Sequence, residues 1–128
     1  MSRYLLDTSF VIDLFNEIAD DREGPAHRWL RAHPRAELWI SPVTYAEVLE
    51  GAGDFEAVRA ALARFRWQGI GRAHAERVAL GQARSTRRRG ENDAWQVAVA
   101  EVMEAVVLGH DPKAFDRLGD GYEDHLKT

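Results

Sequence analysis

The sequence has 128 residues, of which 45% are hydrophobic, 9% aromatic and 30% charged, and its formal net charge is −4. This length and composition predict a single folded domain over residues 1–128 and exclude a collagen-like or intrinsically disordered chain. The absence of cysteine excludes a disulfide scaffold, a thiolate zinc site and a cysteine nucleophile. No apolar run approaches the ~20 residues that cross a bilayer, so we expect a cytoplasmic protein without a membrane partner.

Apolar runs and helical patterns alternate along the chain. The predicted strands lie at residues 4–6, 38–40 and 105–108, with a further strand within residues 65–70. The predicted helices begin near Phe10, at Pro25, at Ser41 (ending at Glu50), at Asp54, at Ala73 (ending at Arg88) and at Asn92 (ending at Ala105). This alternation predicts an α/β fold, a three-layer α/β/α sandwich with a short parallel sheet.

Four acidic residues fall where the connections of such a sheet leave its carboxyl edge, the usual place for a functional crevice. Asp7 follows the first strand and suits an N-cap and a ligand equally. Glu47 points away from the apolar side of its helix, which alone is typical of a solvated acid. Asp93 lies in a first helical turn, where its charge favours the helix dipole, and Asp111 could equally initiate a turn at Pro112.

Together, these four acids predict a metal site. Carboxylates a few ångströms apart raise one another's pKa and need a counter-charge. Magnesium prefers hard oxygen ligands and keeps several waters, so one or two acids would bind it directly. Because the chain has no cysteine, the cluster indicates Mg²⁺, with Mn²⁺ as an alternative, rather than zinc.

Four segments resemble, in order and spacing, the motif regions of PIN-domain ribonucleases: LLDTSFVID, SPVTYAEVLEG, NDAWQVAVAEV and VVLGHDPKAF. The short length is most similar to the VapC toxins of toxin–antitoxin pairs. The resemblance implies a catalytic acidic quartet, metal ligands within it, a hydroxyl near the metal and a supporting threonine. By this resemblance, the quartet consists of Asp7, Glu47, Asp93 and Asp111. Its metal ligands are Asp7, Asp93 and Asp111. The hydroxyl is that of Ser9, and the supporting threonine is Thr44.

The same resemblance implies a metal-dependent endoribonuclease that leaves a 5′-phosphate and a 3′-hydroxyl. It further implies RNA as substrate, a VapB-like antitoxin as partner and a homodimer. The alternative is a catalytically degenerate PIN domain that binds RNA or a protein without cleavage.

Two motifs depart from the family pattern. Gly109 stands where Thr or Ser is usual two residues before the last acid, so one hydroxyl contact is missing. Asp116 therefore remains an alternative to Asp111, although its predicted place in a short helix favours solvent exposure. In the third motif, Trp95 and Gln96 replace small aliphatic residues, and helical spacing places Trp95 on the core side.

A cluster of arginines precedes the third motif, and the histidines are scattered. Arg84, Arg87, Arg88 and Arg89 end the predicted long helix, where they suit either capping of the helix dipole or contact with RNA phosphates. None of the five histidines shows a ligand spacing, so surface positions are expected for most of them. His110 is of interest only because it adjoins Asp111.

Overall fold

The protein is described by a computed structural model over residues 2–127, which form a parallel sheet covered by helices. The strands are β1 (Arg3–Leu6), β2 (Glu37–Ile40), β3 (Arg66–Trp67), β4 (Val106–Gly109) and β5 (Tyr122–Asp124). The helices are α1 (Thr8–Ala19), α2 (Pro25–Ala32), α3 (Pro42–Glu50), α4 (Phe55–Leu62), α5 (Arg72–Arg84), α6 (Glu91–Met103) and α7 (Pro112–Phe115). Two 3₁₀ turns follow, at Asp116–Gly121 and His125–Lys127.

The sheet has the strand order β3-β2-β1-β4-β5, and every pairing is parallel. In its centre, Leu5 of β1 is in register with Trp39 of β2 and Val107 of β4. The carboxyl ends of these strands therefore meet at one edge, where the chain leaves β1 at Asp7 and β4 after Gly109. The predicted α/β class is confirmed.

Hydrophobic layers cover both faces of the sheet. Leu5 packs in one cluster with residues of α6 and α7, whereas Tyr4 and Leu6 pack in a second cluster with residues of α1 to α4. Burial on both faces explains why β1 has consecutive apolar residues rather than an alternating pattern. No helix among residues 2–127 has the length and apolarity to span a bilayer.

A buried acid secures the start of α2. Glu17 of α1 is 1% exposed, and its carboxylate accepts hydrogen bonds from the backbone N–H groups of Gly24 (2.8 Å), Ala26 (2.9 Å) and His27 (3.0 Å). The His27 ring nitrogen Nδ1 lies 2.7 Å from the same carboxylate. A Cβ at Gly24 would lie 2.6 Å from Glu17 Cδ, so only glycine fits beside this cap.

Three local features differ from the predicted elements. The sequence did not predict β5, whose three residues include two acids, a composition that strands disfavour. The long helix ends at Arg84, with Ser85 as its C-cap, instead of continuing to Arg88. The third strand is only two residues long.

Candidate active site

Asp7 is both an N-cap and a buried acid at the carboxyl edge. Its backbone N–H donates to the Leu108 carbonyl (2.8 Å), which fixes it between β1 and β4. Its Oδ2 accepts from the Ser9 hydroxyl (2.7 Å) and from the Ser9 backbone (3.3 Å), so it caps α1. Burial raises the pKa of Asp7, the hydrogen bonds from Ser9 and Thr8 oppose that rise, and the charge of Asp111 adds to it.

Gly109 provides the space that Ser9 occupies. A Cβ at position 109 would lie 2.6 Å from the Ser9 hydroxyl and 2.8 Å from Asp7 Cβ, closer than side chains approach. The Ser9 hydroxyl also accepts from the His110 backbone N–H at 3.0 Å. Glycine at position 109 therefore matches the packing of Asp7 and Ser9 in this structure.

Glu47 is not the solvated acid that its helical position alone suggests. The Thr8 hydroxyl donates to its Oε1 (2.6 Å), and the Asn92 side-chain amide donates to its Oε2 (3.2 Å). Glu47 is half-buried between α1, α3 and α6. The contacts of Thr8 and Asn92 with Glu47 could not be predicted from the sequence, because the hydrophobic pattern of one helix does not show which residues of other helices lie beside it.

The strongest sign that the acids share one site comes from Asp93. Burial raises its pKa, and the charges of Asp111, Asp7 and Glu47 raise it further, against the opposing effect of Arg89. The other three predicted acids therefore all lie close enough to Asp93 to raise its pKa.

Asp111 and Asp116 differ in their environments. Asp111 caps α7 by accepting from the Ala114 backbone (3.3 Å), and its charge raises the pKa of Asp7 and of Asp93. Asp116 is exposed at the end of α7. Asp111 and Asp116 are the N-cap and the C-cap of α7. Of the two, Asp111 is the one whose charge raises the pKa of Asp7 and of Asp93.

The four carboxylates do not form a compact set of ligand atoms. Among residues 2–127, the one group of three or more histidines or acids with ligand atoms all within 4.8 Å is formed by other residues, and no three members of the quartet meet that distance. The all-oxygen donor set of the quartet fits an ion such as magnesium, which keeps part of its water shell.

A buried polar network holds β1 in place below Asp7. The Thr44 hydroxyl donates to the Leu6 carbonyl (2.9 Å), and the Gln96 amide donates to the Thr44 hydroxyl (2.9 Å) and to the Leu6 carbonyl (3.4 Å). The Ser41 hydroxyl donates to Gln96 Oε1. Thr44 therefore supports the site by positioning the backbone that carries Asp7, and Gln96, noted only as a departure, completes that support.

Trp95 does not belong to the core. It is half-buried, and its indole N–H donates to Glu91 at 3.3 Å, so the predicted core position was wrong. Its neighbours Ala94 and Gln96 are buried, so the side of α6 that carries Trp95 is covered only in part.

A basic cavity of about 540 Å³ adjoins the acids at Asp93. Its charged lining residues are Arg87, Arg88, Arg89, Asp93, Lys113, Asp116 and Arg117. Since α5 ends at Arg84, helix capping can explain Arg84 but not the three arginines in the following loop. Sequence analysis missed Lys113 and Arg117, which come from the far side of the cavity.

Two cations of this cavity, Arg89 and Arg117, repel one another. Burial lowers the pKa of Arg89, and the charge of Arg117 lowers it further, against Glu101 and Asp93. The buried Nε of Arg89 has no hydrogen-bond partner within residues 2–127. The cavity therefore has positive charge that an anion such as a phosphate would neutralise.

Comparison with known proteins places these features in a family. The sequence matches the PIN domain over residues 4–121. The fold is similar to a toxin–antitoxin complex from Klebsiella pneumoniae, with 26% identity, a TM-score of 0.76 and coverage of 95% of this chain and 97% of that chain. It is also similar to VapBC-1 from nontypeable Haemophilus influenzae, with 24% identity, a TM-score of 0.72 and coverage of 97% and 98%.

A third similar structure is VapC20 from Mycobacterium tuberculosis, described as a sarcin–ricin loop cleaving toxin. It is 19% identical, with a TM-score of 0.64 and coverage of 91% of this chain and 95% of that chain. At identities below 25%, the likeness to VapBC-1 and VapC20 concerns the fold alone. No curated protein matches the sequence.

Proposed function

The chain belongs to the PIN domain family, and from that premise we propose that it is a metal-dependent endoribonuclease that acts as the toxin of a toxin–antitoxin pair. The observation that supports this function best is the junction at Asp93. This residue belongs to the acidic quartet and also lines the basic cavity. The repulsion among the four acids would be relieved by a metal ion, and the repulsion among the cations of the cavity would be relieved by an RNA phosphate. Asp93 would thus lie between the metal ion and the phosphate.

Asp7, Asp93 and Asp111 would hold Mg²⁺ or Mn²⁺, with Glu47 completing the acidic quartet. When bound, the divalent ion supplies Lewis-acid polarisation of the scissile phosphate and lowers the pKa of water. Thr8 and Asn92 each donate to one oxygen of Glu47, which keeps that carboxylate oriented towards the site.

The cations of the cavity would bind and orient RNA by its backbone. Arg87, Arg88 and Arg89 come from one side, and Lys113 and Arg117 come from the other. Phosphate contacts of this kind position the substrate but carry no base sequence. Arg84, on the last turn of α5, would contribute at the margin of this surface.

We propose a VapB-like antitoxin as the regulatory partner, because similar folds occur in solved toxin–antitoxin complexes. An arginine or lysine of such a partner would neutralise the acids and compete with metal. Phe55 and Trp67 are exposed, and Trp67 packs edge-on to Tyr45 at 5.3 Å, so this apolar surface near α3 and α4 suits a partner helix. A homodimer and a cytoplasmic location complete the proposal.

The test is cleavage of total RNA by the purified chain with Mg²⁺ or Mn²⁺ and with EDTA. We expect metal-dependent cleavage in the wild type and in Asp120→Asn, which changes an exposed acid, but none in Asp7→Asn. The asparagine keeps the shape of Asp7 and part of its capping capacity, so the variant should still fold. RNA binding without cleavage in the wild type would instead indicate a degenerate PIN domain, and wild-type cleavage by Asp7→Asn would contradict the assigned site.

A further inference from the structure

Outside the acidic quartet, three side chains from distant parts of the sequence converge on one point. Asp13 comes from α1, His110 from the connection after β4 and His125 from the 3₁₀ turn after β5. The Nε2 atom of His125 lies 2.8 Å from Asp13 Oδ2, and the Nε2 atom of His110 lies 3.0 Å from the same oxygen. This is the group whose ligand atoms all lie within 4.8 Å of one another.

Two of the three separations between the ligand atoms are close to those around a tetrahedral metal ion, and the third, between the two imidazole nitrogens, is within 4.8 Å. In a tetrahedral zinc site with bonds of ~2.0–2.1 Å, neighbouring ligand atoms are about 3.3 Å apart. The distances of 2.8 Å and 3.0 Å between the imidazole nitrogens and the carboxylate oxygen would need to grow by only a few tenths of an ångström. Such an adjustment is within the reach of side-chain torsions.

The donor set differs from that of the acidic quartet. Two imidazole nitrogens and one carboxylate oxygen are the ligand types of zinc and related transition metals, whereas magnesium prefers oxygen alone. Zinc sites with three protein ligands commonly take a water molecule as the fourth.

The surroundings of the cluster provide both rigidity and access. His125 is fully buried and packs edge-on against Phe10, with ring centroids 4.8 Å apart, which fixes its orientation. The side chains of Asp13 and His110 are 29% and 35% exposed, respectively. One face of the cluster is therefore open to solvent, which leaves an entry path for the ion and room for a water ligand.

We propose that Asp13, His110 and His125 bind one Zn²⁺ or similar transition-metal ion at a site distinct from the acidic quartet. The ion would join α1, the connection that carries Asp111 and the last turn of the described chain. Through the His110 backbone, which donates to Ser9, it would stabilise the edge where Asp7 lies. The site rests on the three side chains alone and does not depend on ribonuclease activity.

Without a metal ion, the same cluster would be a hydrogen-bonded triad in which Asp13 accepts from both rings. Metal binding separates the two cases. The experiment uses the full chain carrying Asp7→Asn and Asp93→Asn, so that the quartet binds metal weakly. Calorimetry measures Zn²⁺ affinity and stoichiometry, and visible absorption of added Co²⁺ reports the ligand geometry.

His27 supplies a matched control, since it also pairs with a carboxylate, at 2.7 Å, and its side chain is 34% exposed, but no second histidine joins it. We expect one Zn²⁺ per chain, tetrahedral Co²⁺ absorption bands, and a loss of affinity of more than about tenfold in His110→Asn and Asp13→Asn. His27→Asn should bind as the parent does. His125 is buried, so His125→Gln is used only if circular dichroism shows it folded.

Equal Zn²⁺ affinity in the parent, His110→Asn and Asp13→Asn would overturn the proposal, as would the absence of tetrahedral Co²⁺ bands in the folded parent. Either result would assign the cluster to hydrogen bonding. A higher melting temperature with Zn²⁺ in the parent but not in His110→Asn would support the site by an independent measurement.

Discussion

Glu17 and Asp7 are both buried carboxylates of α1 and its cap, yet their pKa values shift in opposite directions. Burial alone would raise the pKa of Glu17, but three backbone N–H groups and the His27 ring lower it to about 2. Asp7 has hydrogen bonds from Ser9 and Thr8, which do not compensate for its burial, and the charge of Asp111 adds to the rise. Glu17 is stabilised as an anion by donors within the fold, whereas the donors to Asp7 do not offset its burial, so a cation would favour its anionic form. The balance between burial and hydrogen-bond donors therefore separates these two acids.

The acidic quartet and the Glu17 cap should differ most in their effect on RNA cleavage. Asp93→Asn removes a ligand charge from the quartet, so we expect RNA cleavage to fall by at least about a hundredfold. The same change relieves repulsion among the acids, so the melting temperature without metal should stay equal or rise. Mg²⁺ should stabilise the wild type and much less the variant. Full cleavage by Asp93→Asn would remove this acid from the proposed site.

The next largest effect concerns stability. Glu17→Gln replaces a charged acceptor of three backbone donors with an amide that can satisfy them only in part, so we expect a loss of about 2 kcal/mol in the free energy of unfolding. For a chain of this size, that corresponds to a fall of roughly 8 °C in melting temperature. The control is Glu23→Gln, which removes an exposed ion pair with Arg31 and should change the melting temperature little. A stable Glu17→Gln protein would show that the cap is dispensable.

The two regions should also respond oppositely to pH. The pKa of Glu17 is depressed, so its contribution to stability is present above the ordinary value of 4.5 and is lost as the pH falls towards about 2. The pKa values of Asp7 and Asp93 are raised, so without metal their protonation should stabilise the protein as the pH falls through these raised values towards the ordinary value of 3.8. Urea unfolding at a series of pH values checks both signs. If the difference in the free energy of unfolding between wild type and Glu17→Gln were as large at pH 2 as at neutral pH, the predicted loss of the Glu17 contribution would be contradicted.

The smallest expected effect concerns the basic cavity. Replacing Arg87, Arg88 and Arg89 with Gln should weaken RNA binding and reduce its salt dependence without moving the cleavage position. Arg59→Gln, on an exposed helix away from the cavity lining, is the control. Binding and salt dependence equal to the wild type would show that the loop arginines do not contact phosphate.

Local patterns predicted the parts of the molecule that depend on neighbours in sequence. Continuous apolar runs gave β1, β2 and β4, because strands buried on both faces lose the alternating pattern. Asp7 was identified by its place after β1: it caps α1, as one of its two suggested roles required, and its charge raises the pKa of Asp93, while its role as a metal ligand stays a prediction.

The remaining features depend on contacts that no local pattern contains. Glu47 is fixed by Thr8, 39 positions away, and by Asn92, 45 positions away. The histidine cluster likewise joins residues that show no ligand spacing in the sequence. His125 is buried, whereas surface positions were expected for most of the histidines. The loop arginines were assigned to a helix because Ser85 carries no strong stop signal in the sequence.

The close approach at Gly109 makes positions 9 and 109 a single steric unit. With Ser9 present, any side chain at 109 would displace the hydroxyl that lies 2.6 Å from the missing Cβ. The same Cβ would lie 2.8 Å from Asp7 Cβ, so Ser9→Gly would remove only one of the two close contacts. Gly109→Thr should therefore disturb Asp7 with or without Ser9→Gly. A sequence that gains a side chain at the end of β4 must accordingly also shift the backbone that carries Asp7, so position 109 is constrained by the start of α1 as a whole and not by one hydroxyl.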